Sequence, residues 1–486
     1  MRLRPKYDAR VTSAVPTTVF VTGGTGAWGR ATLREFRARG DRFRVIALVR
    51  PGKHSAKVLR EFEDWPQLEV VHGDLTDPVV VAACVARCDV VIHLGAVVSP
   101  YADDHPELTH RVNVGAIRNI VAAVKALPDP SRVAVVGVGS IAESGDRNPP
   151  VHWGRIGDPV SVSAYDEYGQ SKVIAERELA DSGLPRWTWL RQTGILYPEM
   201  IGIRDPIMTH PPLAGVMEWA SDQDSARLAV GLSEPDVPDE IWGRAWHVGG
   251  GEGWRLTNWE FLSAISVAFG IGDIRRWYDR NWFALQNFHG FWFTDSDRLE
   301  ELVPFRGDTI EAALGRAGAT LSPAARWAAG AFAPIVRQFV MKPLVERPRG
   351  MLRVIRSGDE AAIAAYFGSL EAWREIGDWS SFEPEEPSRT PVLLDHGYDE
   401  DRAPASWSRA DYAGAAAFRG GALVSADPPT GDVTTPLDWA CADGHRFSAS
   451  PRLVLHGGHW CPVCVRDPAD YARQAERNAF LAQIIR

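Results

Sequence analysis

The chain has 486 residues, which is enough for two or three domains. Hydrophobic residues make up 45% of it and charged residues 24%, an ordinary balance for a globular protein, and no apolar run reaches the length of a membrane span. The net charge of −9 gives no overall attraction to nucleic acid or anionic lipid, so we expect no membrane partner and disfavour nucleic acid.

A glycine-rich turn near the N-terminus separates a predicted strand from a predicted helix. The strand includes the apolar run 19–21, Gly23, Gly26 and Gly29 follow with the spacing GxxGxxG, and an amphipathic helix is predicted over 30–39. Glycines at such a turn let main-chain N–H groups approach a pyrophosphate at the helix N-terminus. The spacing is one residue off the fingerprint GxGxxG, and glycine clusters often mark turns alone. The order of strand, glycines and helix favours a dinucleotide site.

The next two predicted strands end in charged residues. Arg50 and Lys53 follow the strand 43–49. Cations at this place suit the 2′-phosphate of NADP(H), whereas an acidic residue would suit the ribose of NAD(H). The alternative is a pair of solvated loop cations. Asp74 follows the strand that begins at residue 68, and it would either bind the adenine amine or cap a turn.

Strands and helices continue to alternate along the chain. Strands are predicted over 90–96 and 133–140, with a helix over 113–125 between them. Tyr168 and Lys172 enter the next helix at positions i and i+4, so both side chains leave the same helix face. The alternation predicts an α/β fold with a parallel, doubly wound sheet.

Taken together, these segments resemble the extended short-chain dehydrogenase/reductase family, which is NAD-dependent epimerase/dehydratase-like. The resemblance covers roughly residues 15–320 and rests on Thr22–Gly29, Gly73–Leu75, His93–Ala96, Val112–Asn113, Gly139–Ser140, Tyr168-x-x-x-Lys172 and Trp189–Gly194. It implies a Rossmann sheet with a small substrate lobe.

The resemblance also implies catalytic roles. Tyr168 would be the general acid/base, and Lys172 would lower its pKa and reach the nicotinamide ribose. Ser140 would bind the substrate oxygen by a hydrogen bond, and Asn113 would support a water-mediated proton path. Tyr165 is a rival to Tyr168, but no lysine follows it at i+4.

The expected cofactor is NADP(H), with NAD(H) as the alternative. The contacts that the resemblance implies are Gly23, Thr25, Gly26, Ala27, Trp28, Gly29, Arg50, Lys53, Asp74, Leu75, Leu94, Gly95, Ala96, Tyr168, Lys172 and Thr193.

The predicted substrate lobe departs from that of sugar-nucleotide enzymes. Gly194 lies where those enzymes usually carry an asparagine, and the segment 197–224 is shorter than their nucleotide-binding insertion. The aromatic run 277–293 suits a pocket for a lipophilic or aromatic compound, but it could equally pack the lobes together or form a homodimer interface.

We therefore expect an NADP(H)-dependent oxidoreductase that transfers a hydride between nicotinamide and a carbonyl or secondary alcohol, with Tyr168 as acid/base. One alternative is a sugar-nucleotide epimerase or dehydratase. The other is a dinucleotide-sensing regulatory protein that binds a partner through its zinc unit.

A metal motif lies near the C-terminus. Cys441, His445, Cys461 and Cys464 give the pattern C-x3-H…C-x2-C, which suits a closed structural Zn²⁺ site, and the segment resembles treble-clef and zinc-ribbon domains. His456 and His459 are rivals to His445 as the fourth ligand. Clustered cysteines of this kind indicate metal binding in a reducing cytoplasm.

These features predict four regions. They are a dehydrogenase domain over 15–320, a helical extension over 321–390, a linker over 391–415, and a small zinc-binding domain with a C-terminal helix over 416–486.

Overall fold

The computed structural model of the protein describes residues 15–202 and 204–485. In chain order its strands are β1 (Thr17–Thr22), β2 (Phe43–Val49), β3 (Leu68–His72), β4 (Val90–His93), β5 (Ala134–Ser140), β6 (Trp153–Gly154), β7 (Trp187–Gln192), β8 (Ile195–Leu196), β9 (Val216–Glu218), β10 (Ala220–Ser221), β11 (Arg244–Val248), β12 (Arg255–Thr257), β13 (Trp292–Phe293), β14 (Ala422–Leu423), β15 (Leu437–Ala440) and β16 (Arg446–Ala449).

The α-helices are α1 (Ala27–Ala38), α2 (Lys53–Leu59), α3 (Pro78–Val85), α4 (Tyr101–Asp104), α5 (Pro106–Lys125), α6 (Glu167–Ala180), α7 (Asp222–Gly231), α8 (Asn258–Ala268), α9 (Ser296–Leu302), α10 (Ile310–Gly318), α11 (Pro323–Ala331), α12 (Ala333–Val336), α13 (Lys342–Val345), α14 (Met351–Ser357), α15 (Glu360–Phe367), α16 (Leu370–Glu375), α17 (Arg409–Phe418), α18 (Tyr471–Ala475) and α19 (Ala479–Ala482). A π-helical turn over Arg337–Met341 joins α12 to α13.

Seven strands form one parallel sheet in the order β11-β7-β5-β4-β1-β2-β3. The strand order reverses between β1 and β4, and doubly wound sheets bind their ligands at the carboxyl ends of the strands beside such a point. The predicted doubly wound α/β fold is confirmed.

Helices cover both faces of this sheet. Leu33 and Phe36 of α1 pack on one face together with α7, while Ile117 of α5 and Leu179 of α6 pack on the other. A parallel sheet needs both faces buried, so its strands are almost uniformly apolar.

Two helices begin earlier than their sequence patterns indicated. α1 begins at Ala27 rather than at residue 30, because Gly26 takes the N-cap position. α5 begins at Pro106 rather than at Asn113, and proline is favoured in a first helical turn, where its missing N–H leaves no hydrogen bond unmade.

The helical extension packs on the aromatic run. Tyr278, Trp282 and Phe283 share one apolar core with Met341 and Leu344. The extension therefore completes the core of the substrate lobe.

The C-terminal unit contains the antiparallel sheet β14-β15-β16 and begins before residue 416. Trp407 and Tyr412, from the predicted linker 391–415, pack with Trp439 in the core of this unit, and Trp407 is only 2% exposed. The sequence of 391–415 indicated a loop-like linker, whereas contacts of Trp407 with Tyr398 and His456 bury part of it.

None of the helices in the described part of the chain combines the length and the hydropathy that a bilayer-crossing segment requires.

Candidate active site

The glycine turn joins β1 to α1 at the switch point of the sheet. Gly23 has φ +72°, and a Cβ there would lie 2.6 Å from the main-chain nitrogen of Gly95. A Cβ on Gly29 would overlap the carbonyl oxygen of Gly23. No side chain caps the helix at Gly26, and no acidic residue occupies its first turn. The main-chain N–H groups of this helix end can therefore receive an anion.

The other expected dinucleotide contacts lie at neighbouring strand ends. Arg50 follows β2, and Lys53 begins α2; both are exposed. Asp74 accepts hydrogen bonds from the main-chain N–H and the hydroxyl of Thr76 at 2.9 and 2.8 Å, and these bonds lower its pKa. The structure thus gives Asp74 the turn-capping role, and its exposed position leaves its outer face accessible.

The end of β4 is closely packed against β1 and β3. A Cβ on Gly95 would lie 2.7 Å from Leu75, so Leu94, Gly95 and Ala96 pass close to Leu75. Thr22 Oγ1 and His93 Nδ1 lie 2.8 Å apart, and the Gly95 N–H donates to Thr22 Oγ1 at 3.1 Å. These contacts fix the carboxyl ends of both strands.

The structure brings Ser140, Tyr168 and Lys172 together. Ser140 ends β5, and its hydroxyl lies near enough to the Tyr168 phenol to lower the pKa of that phenol. Lys172 Nζ lies 5.7 Å from the centre of the Tyr168 ring and donates to the Val138 carbonyl at 2.6 Å. Tyr165 is exposed with φ +64° and stacks on Tyr366, so it lies apart from this group.

Burial has the largest effect on the pKa values of both Tyr168 and Lys172. Burial raises the pKa of Tyr168 well above its usual value, the Glu143 carboxyl adds to the increase, and the hydrogen bond from Ser140 opposes it. Burial lowers the pKa of Lys172, whose ammonium donates to a main-chain carbonyl instead of the phenol. Tyr168 is therefore a neutral phenol here.

Asn113 is buried in α5 and joins three segments around the site. Its amide donates to the Val97 carbonyl and to Ser171 Oγ, both at 2.9 Å, and its carbonyl accepts from the Val97 N–H at 2.8 Å. Asn113 thus fixes the loop after β4 against the helix that carries Tyr168.

A buried charged cluster beneath Ser140 was missed by the sequence interpretation. Glu176 accepts from Arg191 Nη2 and Nε at 2.9 and 3.0 Å. Glu143 accepts from the Ser140 N–H at 2.7 Å and from Trp189 Nε1 at 3.2 Å. The only signal in the sequence was the capping-box spacing from Ser140 to Glu143.

The two carboxyl groups of this cluster have opposite pKa shifts. Burial raises the pKa of Glu143 well above its usual value, and the neighbouring Glu176 raises it further. Burial also disfavours ionised Glu176, but the charge of Arg191 and hydrogen bonds from Glu143 and His459 lower its pKa overall. Glu143 therefore carries the proton, and Glu176 is the ionised partner of Arg191.

The end of β7 offers buried polar atoms with no hydrogen-bond partner among the described residues. They are the Thr193 hydroxyl and both amide atoms of Gln192. Together with the uncapped helix end at Gly26, they fit a polar ligand that spans β1 to β7, as the expected dinucleotide would.

A cavity of about 980 Å³ adjoins Tyr168 and Gly194. Its lining is largely apolar and includes Met217, Trp219 and Phe261, and none of its described lining residues is acidic. A Cβ on Gly194 would lie 2.6 Å from Met217 and 2.7 Å from Trp219, so glycine is what lets these side chains close over this point. The cavity can hold a large lipophilic molecule.

Some residues of the aromatic run 277–293 line the cavity, and others pack in the protein core. Trp277, Tyr278 and Phe288 line the cavity, whereas Trp282 is buried in the core shared with the helical extension, and Trp292 packs against Trp153.

The four expected metal ligands converge in the C-terminal unit. The ligand atoms of Cys441, His445, Cys461 and Cys464 lie within 4.8 Å of one another. His445 Nδ1 is 3.4 Å from the sulfurs of Cys441 and Cys464 and 3.7 Å from that of Cys461. Zn–N and Zn–S bonds of about 2.0 and 2.3 Å in a tetrahedron give N···S edges of about 3.5 Å and S···S edges of about 3.8 Å, so the set fits zinc.

The rival histidines lie elsewhere. His456 packs on Trp407, and His459 Nε2 lies 3.4 Å from Glu176.

The C-terminal unit also contacts the helix that carries Tyr168. Arg177 of α6 donates to the Trp460 carbonyl at 3.1 Å, and Gln170 donates to the Val465 carbonyl at 3.2 Å. The segment that carries Cys461 and Cys464 therefore supports the outer face of α6.

Part of the chain is similar to a known protein family and to several dehydrogenases. Residues 19–184 match the model of the NAD dependent epimerase/dehydratase family. The chain is 30% identical over 196 residues to 3 beta-hydroxysteroid dehydrogenase type 7 of Mus musculus, covering 37% of this chain and 51% of that protein. It is 31% identical over 176 residues to D-erythronate dehydrogenase of Cupriavidus necator, covering 34% of this chain and 49% of that protein. The chain thus spans about half the length of the curated relatives it matches.

Solved structures share the fold. The dTDP-glucose 4,6-dehydratase of Bacillus anthracis, solved in complex with NAD, has a TM-score of 0.50 and 14% identity, covering 62% of this chain and 96% of that one. The DesIV dTDP-glucose 4,6-dehydratase of Streptomyces venezuelae has a TM-score of 0.50 and 19% identity, covering 62% and 95%. At these identities the likeness supports the Rossmann-type fold alone.

Proposed function

Because residues 19–184 match the NAD dependent epimerase/dehydratase family, we propose that this protein is an NADP(H)-dependent oxidoreductase acting on a lipophilic carbonyl compound or secondary alcohol. The observation that carries the proposal is the position of Tyr168. It contacts Ser140 and lies next to Lys172, and it also lines the large apolar cavity.

Tyr168 acts as the proton-transfer group. The bound nicotinamide supplies or accepts the hydride. A neutral phenol is the form that donates a proton, so Tyr168 protonates the substrate oxygen during carbonyl reduction. Ser140 donates a hydrogen bond to that oxygen, and Lys172 stabilises the phenolate that remains. Asn113 holds the loop at Val97 against α6 and supports the water-mediated proton path.

Residues at three strand ends would hold the dinucleotide. Gly23, Gly26 and Gly29 leave main-chain N–H groups free for the pyrophosphate. Arg50 and Lys53 supply two cations where a 2′-phosphate would lie, and no acidic residue stands between them. This arrangement favours NADP(H) over NAD(H).

The apolar cavity favours a lipophilic substrate over a sugar nucleotide. An asparagine in place of Gly194 would collide with Met217 and Trp219, and the described cavity lining offers two arginines, Arg204 and Arg347, within a mainly apolar wall. Burial of apolar substrate surface against such a wall is favourable by about 25 cal/mol per Å². A sugar-nucleotide epimerase or dehydratase remains the second candidate because it uses the same residues and cofactor.

We also propose that Cys441, His445, Cys461 and Cys464 hold a structural zinc ion. Four protein ligands leave no open position for catalysis. Three free thiols in one cluster persist in a reducing compartment, in keeping with a cytoplasmic protein.

The proposal is tested with Tyr168→Phe, assayed with NADPH and NADH against a panel of lipophilic ketones, water-soluble ketones and nucleotide sugars. Loss of the acid/base group should lower kcat by about 10²- to 10⁴-fold, while NADPH binding, measured by fluorescence, persists. Tyr165→Phe, three residues earlier and exposed, is the matched control and should keep its kcat.

NADPH binding without turnover of any panel member in the unaltered protein would favour the dinucleotide-sensing alternative. Turnover of nucleotide sugars alone would overturn the lipophilic substrate.

A further inference from the structure

Five large apolar side chains form one exposed surface on the helical extension, here called the apolar patch. They are Trp327, Phe332, Ile335, Phe339 and Val340. Trp327, Ile335 and Phe339 are 70%, 55% and 74% exposed. The rings of Trp327 and Phe332 lie 6.4 Å apart. Ile335 and Phe339 follow Phe332 after three and seven positions, a spacing that places side chains near one helix face. Contiguous exposed apolar surface of this kind marks an interaction site.

The patch lies within a strongly cationic segment. Residues 322–357 contain seven Lys or Arg residues, Arg326, Arg337, Lys342, Arg347, Arg349, Arg353 and Arg356, against one acidic residue, Glu346, although the whole chain has 53 basic and 62 acidic residues. Arg337, Arg349 and Arg356 form ion pairs. Lys342, Arg347 and Arg353 have no acidic partner in the part of the chain that the structure describes.

The same segment forms one wall of the cavity. Val336, Met341 and Leu344 line it, and so do Phe339 and Val340 of the apolar patch. The patch therefore shares Phe339 and Val340 with the wall of the cavity that Tyr168 adjoins.

We propose that the apolar patch and its cations dock this protein on an anionic phospholipid bilayer. Exposed aromatic and aliphatic side chains flanked by Lys and Arg are the features that hold a helix in the bilayer interface without spanning it. The cations are attracted by the negative surface potential of anionic lipids. The net charge of the whole chain is −9, although residues 322–357 carry an excess of positive charge. A bilayer fits the patch better than a second copy does, since two copies would bring their cations together.

Docking would also make the bilayer the source of the substrate, an inference that rests on the proposed function. A lipophilic ketone or alcohol dissolved in the bilayer would lie against Phe339 and Val340, and it would enter the cavity there without crossing water.

The test is flotation of the full-length protein with vesicles of phosphatidylcholine and phosphatidylserine, compared with phosphatidylcholine alone. We expect flotation with the anionic vesicles and its loss on adding salt. Removing two unpaired cations with Lys342→Gln and Arg353→Gln should lower the partition coefficient about 25-fold, at about fivefold per cation. Trp327→Ser with Ile335→Ser should abolish flotation.

The matched control is Val79→Ser. Val79 is also exposed, but it lies on α3, a helix that packs on the seven-stranded sheet. It should float like the unaltered protein. Absence of flotation with anionic vesicles, or flotation that survives the Trp327 and Ile335 changes, would overturn the proposal. A concentration-dependent dimer in analytical ultracentrifugation, abolished by the same changes in a protein that does not float, would assign the patch to contact between two copies instead.

Substrate entry has its own readout. The variant with Trp327→Ser and Ile335→Ser should turn over a water-soluble ketone at the normal rate, because neither residue lines the cavity. Its turnover of a ketone embedded in vesicles should fall. Equal turnover of the embedded ketone overturns the entry route, whereas a protein that floats but lacks all turnover refutes only the proposed function.

Discussion

Replacing Glu176 by glutamine tests the assignment of charge beneath Ser140. Glu176 and Arg191 form a two-pronged ion pair in which their side chains are 2% and 1% exposed. Glu176→Gln leaves the guanidinium without its ionised partner in a site that water cannot reach. Breaking a buried pair from one side costs about 3–5 kcal/mol of unfolding free energy.

Glu143→Gln is the matched change, and it should cost far less. Glu143 already carries a proton, so glutamine keeps its charge, size and shape. The amide oxygen can accept from the Ser140 N–H, and the amide nitrogen can donate to Glu176 as the protonated carboxyl does. We expect a loss below about 1 kcal/mol, the range of substitutions that break no buried interaction.

Urea unfolding followed by tryptophan fluorescence measures both changes. The chain has 19 tryptophans, so the emission reports unfolding of the whole protein. The midpoint for Glu176→Gln should fall well below that of the unaltered protein, and Glu143→Gln should nearly match the unaltered protein. Glu143 also holds the main chain at Ser140, and glutamine can keep that hydrogen bond. We therefore expect kcat of Glu143→Gln to stay within about tenfold of normal.

Two results would refute this assignment. Equal losses for both variants would mean that the proton is not held on Glu143. A larger loss for Glu143→Gln would mean that Glu143 is the ionised partner and that Glu176 carries the proton.

Three further predictions follow from the site. Cys461→Ser should lose its zinc in stoichiometric metal analysis, whereas Cys84→Ser, a buried cysteine outside the cluster, should keep it; unchanged metal in Cys461→Ser would contradict the ligand set. Arg50→Asp should raise the KM for NADPH at least about tenfold and lower that for NADH, and an unchanged ratio would exclude a 2′-phosphate contact. Burial and then a neighbouring carboxylate raise the pKa of Asp103 to about 6. The folded state therefore holds that proton more tightly, stability falls as pH rises from about 4 to 6, and Asp103→Asn should flatten this dependence in urea unfolding.

The nucleotide-binding part of the fold was readable from local patterns. β1, the glycine turn and α1 are consecutive, and their packing follows from side-chain size and helix periodicity over a few residues. The i and i+4 spacing of Tyr168 and Lys172 likewise placed them on one face of α6. The cysteine and histidine spacing predicted the ligand cluster for the same reason, since β15, its turn and β16 bring Cys441 and His445 together.

Other features depended on pairs of residues that are far apart in the chain. Arg191 donates to the Gly457 carbonyl across 266 positions, and His396 meets Asp158 across 238. No sequence spacing specifies such pairs, so the buried cluster beneath Ser140 and the support of α6 by the C-terminal unit were not predicted. Burial of Tyr168 and the hydrogen bond from Lys172 to the Val138 carbonyl also depend on tertiary packing, which no sequence spacing specifies.

The sequence by itself predicted the doubly wound sheet, the glycine turn after β1, the set Ser140, Tyr168 and Lys172, and the Cys/His cluster, because each follows from local patterns or from resemblance to known motifs. Only the tertiary structure decided which aromatic residues line the cavity and which acid of the buried pair is ionised. It also decided that exposed apolar residues of the extension belong to the cavity wall. Those outcomes depend on burial, and burial is set by how distant segments pack.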